Sequence, residues 1–137
     1  MKRLLFACAL LLMVSACGRY TPTEPDPKEG YWSGDTDQER PISFYVTSQR
    51  TLGEIELKIE LPDNSTIIWS VDEYEEFDED ECWSRDVEGE SWYGGHVHTL
   101  YIEGEFVTAD SCTGSFTAES ETYHDGYYVQ SEFSLSP

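Results

Sequence analysis

Ile55-Glu56-Leu57-Lys58-Ile59-Glu60-Leu61 is the stretch that decides the fold, because apolar and charged residues alternate along it without a break. Successive side chains of a β-strand point to opposite faces, so this period of two predicts a strand with one face in a core and one in water. Pro62-Asp63-Asn64-Ser65 follows, a composition typical of a tight turn. Thr66 to Val71 then alternates again and predicts the returning strand of a hairpin.

The same alternation recurs on both sides of this hairpin. A short strand is predicted around Ile42, Phe44 and Val46, and longer strands over residues 97–107 and 112–119. Asp125-Gly126 is a turn signal, and a last strand is predicted after it. No stretch beyond the first residues has the 3.6-residue period of an amphipathic helix. Short strands and frequent turns predict an all-β fold, either a small antiparallel β-sandwich or a small barrel.

Two segments precede the strands. Lys2 and Arg3 are followed by an apolar run over residues 4–13 that is too short to cross a membrane as a helix. This pattern predicts a removable export signal over residues 1–16. Residues 17–30 contain three prolines and no apolar face to bury, which predicts an extended tether. The folded domain is therefore expected over residues 31–137.

The end of the signal carries a specific motif. Val14-Ser15-Ala16-Cys17 resembles a bacterial lipobox, in which two small residues precede a cysteine that is diacylated before the signal is cut off. The resemblance implies that Cys17 becomes the first residue of the mature protein and its lipid anchor in the membrane. Gly18 stands where an aspartate commonly retains such proteins at an inner membrane. By resemblance to that sorting rule, the outer membrane of the cell envelope is favoured, on its periplasmic or surface face.

The chain is strongly acidic. It has 28 Asp and Glu against 8 Lys and Arg, for a formal net charge of −20, and loss of Lys2 and Arg3 with the signal makes the mature chain more negative still. Such a surface repels nucleic acid and anionic headgroups, so no nucleic-acid partner is expected. Aromatic residues make up 14% of the chain, which favours a folded domain over a disordered acidic tail.

Four cysteines are present. Cys8 leaves with the signal and Cys17 is taken by lipid, so Cys82 and Cys112 are expected to form a disulfide in an oxidising compartment. Closing a loop of roughly 30 residues contributes about 3 to 4 kcal/mol on the chain-entropy model. The alternative is a pair of free buried thiols.

The domain itself also shows a resemblance. A Trp-x-Gly opening at Trp32, a Pro-Ile-x-Phe-x-Val strand from Pro41, and the Gly-x-Phe motifs of Gly104-Glu105-Phe106 and Gly114-Ser115-Phe116 resemble a small all-β domain that recurs in bacterial exported proteins. The likeness implies the all-β fold. That family carries no catalytic residues to transfer, and residues 72–81 depart from its pattern.

Residues 72–81 hold eight acids in ten positions and predict a long exposed loop. Clustered carboxylates can supply the oxygens that Ca²⁺ prefers, and Asp72, Asp78 and Asp80 are the candidate ligands. The stretch lacks the central glycine of an EF-hand loop, so a solvated acidic loop that binds no ion is the favoured reading.

His96-Val97-His98 is a second candidate for a metal site. Residues two apart on a strand project from one face, and two imidazoles placed in this way can chelate a metal. A third ligand could come from His124 or a nearby carboxylate. Histidines at the rim of a strand are the alternative.

Aromatic residues exceed what one small core can bury, which predicts an exposed aromatic surface for sugar rings or peptides. Trp32, Trp83, Trp92 and Tyr93 are the candidate ligand-binding residues. Cross-strand packing of the rings is the alternative. Four further tyrosines belong to the same set: Tyr31, Tyr123, Tyr127 and Tyr128.

No sequence motif points to catalysis, since the chain has no nucleophile elbow, zinc-protease helix, phosphate loop or dinucleotide fingerprint. We therefore expect a non-catalytic, membrane-anchored lipoprotein that serves as a structural or interaction module of a bacterial cell envelope. The alternative is an adhesion-type module that binds carbohydrate or a protein partner, with Ca²⁺ as its one conceivable cofactor.

Overall fold

A computed structural model of the chain describes residues 26–78, 80–90 and 95–137. The elements within these ranges are, in chain order, β1 (Gly30–Thr36), β2 (Pro41–Val46), β3 (Thr51–Glu60), β4 (Thr66–Val71), β5 (Glu75–Glu76), β6 (Cys82–Glu90), β7 (Val97–Thr108), β8 (Ser111–Ser120), a 3₁₀ turn (Tyr123–Asp125) and β9 (Tyr127–Ser136).

The strands form one antiparallel sheet in the order β4-β3-β2-β1-β9-β8-β7-β6, and β5 pairs with the start of β3. Most neighbours in the sheet are also neighbours along the chain. The pairing of β1 with β9 is the long-range link that joins the two halves. The prediction of an antiparallel all-β fold is confirmed, and its architecture is a single continuous sheet curled into a half-barrel.

The predicted alternation matches the core. Ile55, Leu57 and Ile59 of β3 are each at most 1% exposed, and the residues between them face outward. The Pro62–Ser65 turn forms as expected, because the side chain of Asp63 accepts the Ser65 amide at 2.9 Å. The apolar residues that alternate along β3 therefore form the inner face of the sheet, as the period of two predicts.

The centre of the half-barrel is aromatic. Trp32 stacks on Phe44 with ring centroids 6.0 Å apart, and Trp83 meets Phe44 edge to face at 5.5 Å. Phe106 contacts both Trp32 and Phe44 at 5.1 and 5.9 Å. Edge-to-face pairs of this kind stabilise a core beyond the area they bury.

The two Gly-x-Phe motifs lie on β7 and β8, where each glycine makes room for a ring. A Cβ atom on Gly104 would lie 2.5 Å from the indole of Trp83, and one on Gly114 would overlap the ring of Phe133. Trp83 and Phe133 stack 6.2 Å apart over these glycines. The motifs that carry the family resemblance thus have a packing role in this chain.

The predicted Cys82–Cys112 disulfide is not present, and this expectation is corrected: Cys112 is a free, fully buried thiol. Cys82 pairs with Glu105 of β7, whereas Cys112 pairs with Phe106, so the two cysteines flank β7 on strands that are not neighbours. Strands two apart in a sheet lie about 9.6 Å apart, beyond disulfide reach. Their alternate register also directs the side chains to opposite faces.

Arg85 of the edge strand β6 joins the two ends of the curled sheet. Its side chain is 8% exposed, and it donates to the backbone carbonyls of Leu52 and Glu73, each at 3.1 Å. Its guanidinium also forms an ion pair with Glu75 of β5. These contacts attach the acidic segment over residues 72–81, which precedes β6, to the rim of the half-barrel.

Candidate binding site

A β-bulge in β3 places Glu54 on the outer surface. The register between β2 and β3 shifts between Ser43 and Tyr45, and Leu52 and Ile55 both face the core although they are three residues apart. Glu54 is the extra residue, with a φ of 50°. Left-handed backbone is costly for a residue with a Cβ atom, so the surrounding contacts must hold it.

Those contacts come from tyrosines. The hydroxyl of Tyr31 on β1 donates to one carboxylate oxygen of Glu54 at 3.0 Å, and the hydroxyl of Tyr74 donates to the other at 2.7 Å. Tyr45 of β2 lies opposite Tyr31 and packs edge to face on it at 4.9 Å. We call Tyr31, Tyr45, Tyr74 and Glu54 the tyrosine cluster.

The carboxylate of Glu54 makes both tyrosine hydroxyls harder to ionise. A phenol that donates to a carboxylate resists ionisation, because the phenolate would lose the hydrogen bond and meet a like charge. This hydrogen bond is the main cause that raises the pKa of Tyr74 to about 12, and it also raises the pKa of Tyr31. Both residues therefore stay neutral donors at ordinary pH.

The rings of the cluster are open to solvent. Tyr31 is 67% exposed and Tyr74 is 43% exposed, and the ring of Tyr74 lies over Gly53, where a Cβ atom would clash. Beside them is a shallow concavity of about 400 Å³ on the outer face of the sheet. Its lining consists of Tyr31, Ser43, Glu54, Ile55, Glu56, Ser70 and Asp72.

A second concave surface lies on the outer face of β6 to β9. Tyr101 and Tyr128 are exposed there among carboxylates, and the hydroxyl of Tyr101 donates to Glu103 at 3.0 Å. The concavity measures about 760 Å³ and is lined by Asp86, Glu88, Thr99, Tyr101, Thr117, Glu119 and Tyr128. The tyrosines here are spread along the sheet and share no single carboxylate.

Two of the predicted ligand-binding aromatics are corrected. Trp32 is 0% exposed and Trp83 is 7% exposed, so both rings belong to the core. The indole N–H of Trp32 donates to the carbonyl of Lys28 at 2.8 Å, which anchors the segment before β1. Trp92 and Tyr93 lie outside the described residues. An exposed aromatic surface does exist, but tyrosines form it.

The acidic segment is held by one ring and by local hydrogen bonds. Phe77 is buried against Phe106 at 5.1 Å, and the guanidinium of Arg50 lies 4.8 Å above its ring. One carboxylate oxygen of Asp78 accepts the backbone amides of Asp80 and Cys82. Asp72 precedes β5 and Phe77 along the chain, whereas Asp78 and Asp80 follow them.

The described part of the chain contains no group of three or more His, Cys, Asp or Glu side chains that is placed to hold a metal ion. Asp72, Asp78 and Asp80, the candidate calcium ligands, are not brought together as one such group.

His98 lies on β7 and His96 just before it, and a ring nitrogen of each has a hydroxyl partner. Nδ1 of His96 lies 3.0 Å from the Thr122 hydroxyl, and Nδ1 of His98 lies 2.7 Å from the Tyr127 hydroxyl. Both rings pack on Tyr123. His98 is 2% exposed, and burial together with the neighbouring His96 lowers its pKa.

Sequence analysis missed Tyr45, Tyr74 and Glu54. One signal for Glu54 was present: Leu52-Gly53-Glu54-Ile55 breaks the parity of β3 at a glycine, which is typical of a bulge. No comparable signal marked Tyr74, because it reaches Glu54 from a segment that lies 20 residues further along the chain.

Comparisons with known proteins return no relative: no protein-family model matches the chain, and no curated protein matches its sequence significantly. A search of residues 26–78, 80–90 and 95–137 for a helix of membrane-spanning length and apolarity finds none.

Proposed function

We propose that this protein is an exported, lipid-anchored module of a bacterial cell envelope that binds its ligand at the tyrosine cluster and carries out no catalysis. The basic and apolar start, the lipobox-like Val14-Ser15-Ala16-Cys17 and the proline-containing tether support the anchored location. Gly18 favours the outer membrane. The domain would then stand away from the bilayer on its tether, with its outer surfaces accessible.

The tyrosine cluster is the observation that carries the binding role. Three tyrosine rings lie together on the outside of the domain, and Glu54 holds two of them in place. Ordered rings lose little conformational entropy when a ligand stacks on them. The arrangement suits recognition better than proton transfer, because Tyr31 and Tyr74 stay protonated at neutral pH.

Fractionation tests the anchor. The Cys17→Ala variant is expected in the soluble fraction and the unaltered protein with the membranes, because the variant has no thiol to acylate. Co-sedimentation of the variant with membranes would show that something other than lipid holds the protein there. Metabolic labelling with a radioactive fatty acid provides the direct readout.

Retention of envelope components tests the binding site. The purified protein is immobilised and exposed to an envelope extract of its own organism, beside the Tyr31→Ala/Tyr74→Ala variant. A glycan or protein component should be retained by the wild type and lost from that variant. The matched control is Tyr101→Ala/Tyr128→Ala, which removes two exposed tyrosines from the other surface and should leave retention unchanged. Equal retention by all three proteins, or none by any, contradicts the proposal.

A further inference from the structure

The two edge strands of the curled sheet differ in how well they are protected. β6, at one edge, carries the exposed charges of Asp86 and Glu88, and its Arg85 joins it to the opposite rim. Charged side chains on an edge strand discourage the addition of a further strand. β4, at the other edge, reads Thr66-Ile67-Ile68-Trp69-Ser70-Val71, with no charged residue and no proline. β4 therefore lacks the features that protect an edge.

The outer edge of β4 is also open. Thr66 to Glu60 and the pairs that follow join β4 to β3, and no other strand of the described chain pairs with it. Every second residue of an edge strand directs its N–H and C=O groups away from its one neighbour. Among the described residues, none outside β3 forms a backbone hydrogen bond with β4. With Ile68 61% exposed on its outward side, β4 is a template for one more strand.

A second copy of β4 fits this edge. A twofold axis perpendicular to the sheet places two copies antiparallel, with Ile68 facing Ile68 across the axis. Thr66 of one copy then faces Ser70 of the other on the outward side, and Ile67 faces Trp69 on the inward side. Cross-strand pairs of apolar side chains and of hydroxyls stabilise antiparallel sheets. The apolar inner face thus continues across the junction.

The negative charge of the chain lies away from this junction. On β3, Lys58 is opposite Ile68, while Glu56 and Glu60 are opposite the two ends of β4. In the paired copies, Glu56 of one lies three strand spacings, about 14 Å, from Glu60 of the other. The screening length is about 8 Å at physiological ionic strength, so these carboxylates repel each other weakly. A basic strand would find no carboxylate on β4 to pair with, which favours a neutral one.

We propose that two copies of this protein associate by antiparallel pairing of their β4 strands, with Ile68 at the twofold axis. The inference goes beyond ligand binding at the tyrosine cluster and does not depend on it. The paired edge is only six residues long, so the interface is small and the dimer forms reversibly as the concentration rises.

Sedimentation equilibrium tests the association. The full chain is used with the Cys17→Ala substitution, so that an attached lipid contributes nothing. From about 1 µM to about 1 mM, the average mass should rise from that of one chain toward that of two and no further. Added salt should strengthen the dimer, because it screens the repulsion between two acidic domains. A single-chain mass throughout, growth beyond two chains, or dissociation by salt would overturn the proposal.

Ile68→Lys in the same background separates pairing at β4 from general association. The side chain is exposed, so the fold should persist, but two ammonium groups would face each other across the axis. We expect this variant to stay a single chain at concentrations where its parent is dimeric. The matched control is Val97→Lys, which makes the same charge change at an exposed position of β7, a strand with neighbours on both sides. Equal association of the two variants would overturn the proposal.

Ile68→Cys tests the register. Directly opposed residues of antiparallel strands have Cα atoms about 4.5 to 5.5 Å apart, within disulfide reach. Mild oxidation should give a covalent dimer, and peptide mapping should link the two substituted positions to each other. Val97→Cys should give no such link. If the dimer persists in sedimentation while Ile68→Cys fails to cross-link, pairing at Ile68 is wrong.

Discussion

Cys112 shows how completely the fold removes a single reactive side chain from water. Its thiol is fully buried between Phe106 on β7 and Leu135 on β9, its register partners. Burial in apolar surroundings disfavours the thiolate and raises the pKa of this thiol to about 12. Since the thiolate is the nucleophile, the residue is expected to be chemically inert in the folded protein.

Alkylation tests this expectation. Native protein treated with iodoacetamide at about pH 8 should leave Cys112 unmodified, whereas protein in concentrated guanidinium chloride should be alkylated there within minutes. Peptide mapping by mass spectrometry locates the label. Rapid labelling of the native protein, or recovery of a peptide that links Cys112 to Cys82, would contradict the structure.

His98 is the second buried polar side chain with a testable consequence. Nδ1 bonds to Tyr127, Nε2 has no hydrogen-bond partner among the described residues, and the ring packs on Tyr123. The neighbouring imidazole of His96 also disfavours protonation of His98, and Gly89 lies opposite His98 on β6. Because the folded-state pKa lies below 6.5, the neutral ring contributes stability above pH 6.5 that is lost as the pH falls through the folded pKa.

The His98→Asn variant separates this contribution from other titrations, because the asparagine amide can still bond to Tyr127 and does not ionise. Between pH 7.5 and pH 5, the melting temperature of the wild type should fall further than that of the variant, as measured by thermal melts at each pH. The comparison variant is His96→Asn, at a half-buried position; because His96 disfavours protonation of His98, its loss should leave the pH dependence present but weaker than in the wild type. Parallel pH profiles for all three proteins would rule out His98 as the titrating group.

At the scale of elements, the strength of the alternating pattern decided which strands could be predicted. β2, β3, β4, β7, β8 and β9 all carry apolar residues at their inward positions and were predicted. β6 was not, because the charged residue Arg85 occupies one of its buried positions and interrupts the apolar pattern. β1 was not assigned as a strand either, since Trp32 and Thr36 are its only buried residues.

Arg85 also shows why the joining of the sheet ends could not be predicted. A charged residue at an inward position breaks the alternating pattern from which a strand is predicted. In the structure, the buried guanidinium of Arg85 donates hydrogen bonds to the carbonyls of Leu52 and Glu73. Arg85→Met should lower the free energy of unfolding by about 2 to 4 kcal/mol, because two carbonyls, that of Leu52 buried and that of Glu73 partly buried, lose charge-assisted hydrogen bonds. Urea denaturation measures the change.

The control for Arg85 is Arg40→Met. Arg40 forms a partly exposed ion pair with Glu60, so its loss should cost less than about 1 kcal/mol. Equal destabilisation by the two substitutions would show that Arg85 does not join the sheet ends in the way the structure indicates.

At the scale of the whole molecule, net charge governs how the domain responds to salt. A formal charge of −20 on a chain of 137 residues produces repulsion that unfolding relieves. Raising ionic strength from about 0.01 to 0.15 M shortens the screening length from about 30 to 8 Å. The melting temperature should therefore rise by several degrees over that range, as measured by scanning calorimetry.

The same series of ionic strengths, measured near the isoelectric point, is the control. At about pH 4.1 the net charge approaches zero, so added salt should leave the melting temperature nearly unchanged. A melting temperature that is insensitive to salt at neutral pH would mean that local ion pairs, rather than net repulsion, dominate the electrostatics of the fold.

By itself, the sequence determined the fold class, the alternation of β3 and most of its neighbours, and the acidity of the surface, because each of these depends on the order of residues within one segment. The export signal and lipid anchor stay predictions from residues 1–17. Only the tertiary structure decided that Trp32 and Trp83 are core residues, that Cys82 and Cys112 lie on opposite sides of β7, and that tyrosines from two distant segments meet at Glu54. Those facts depend on which strands become neighbours and in what register, and one bulge in β3 was enough to turn a carboxylate outward between two tyrosines.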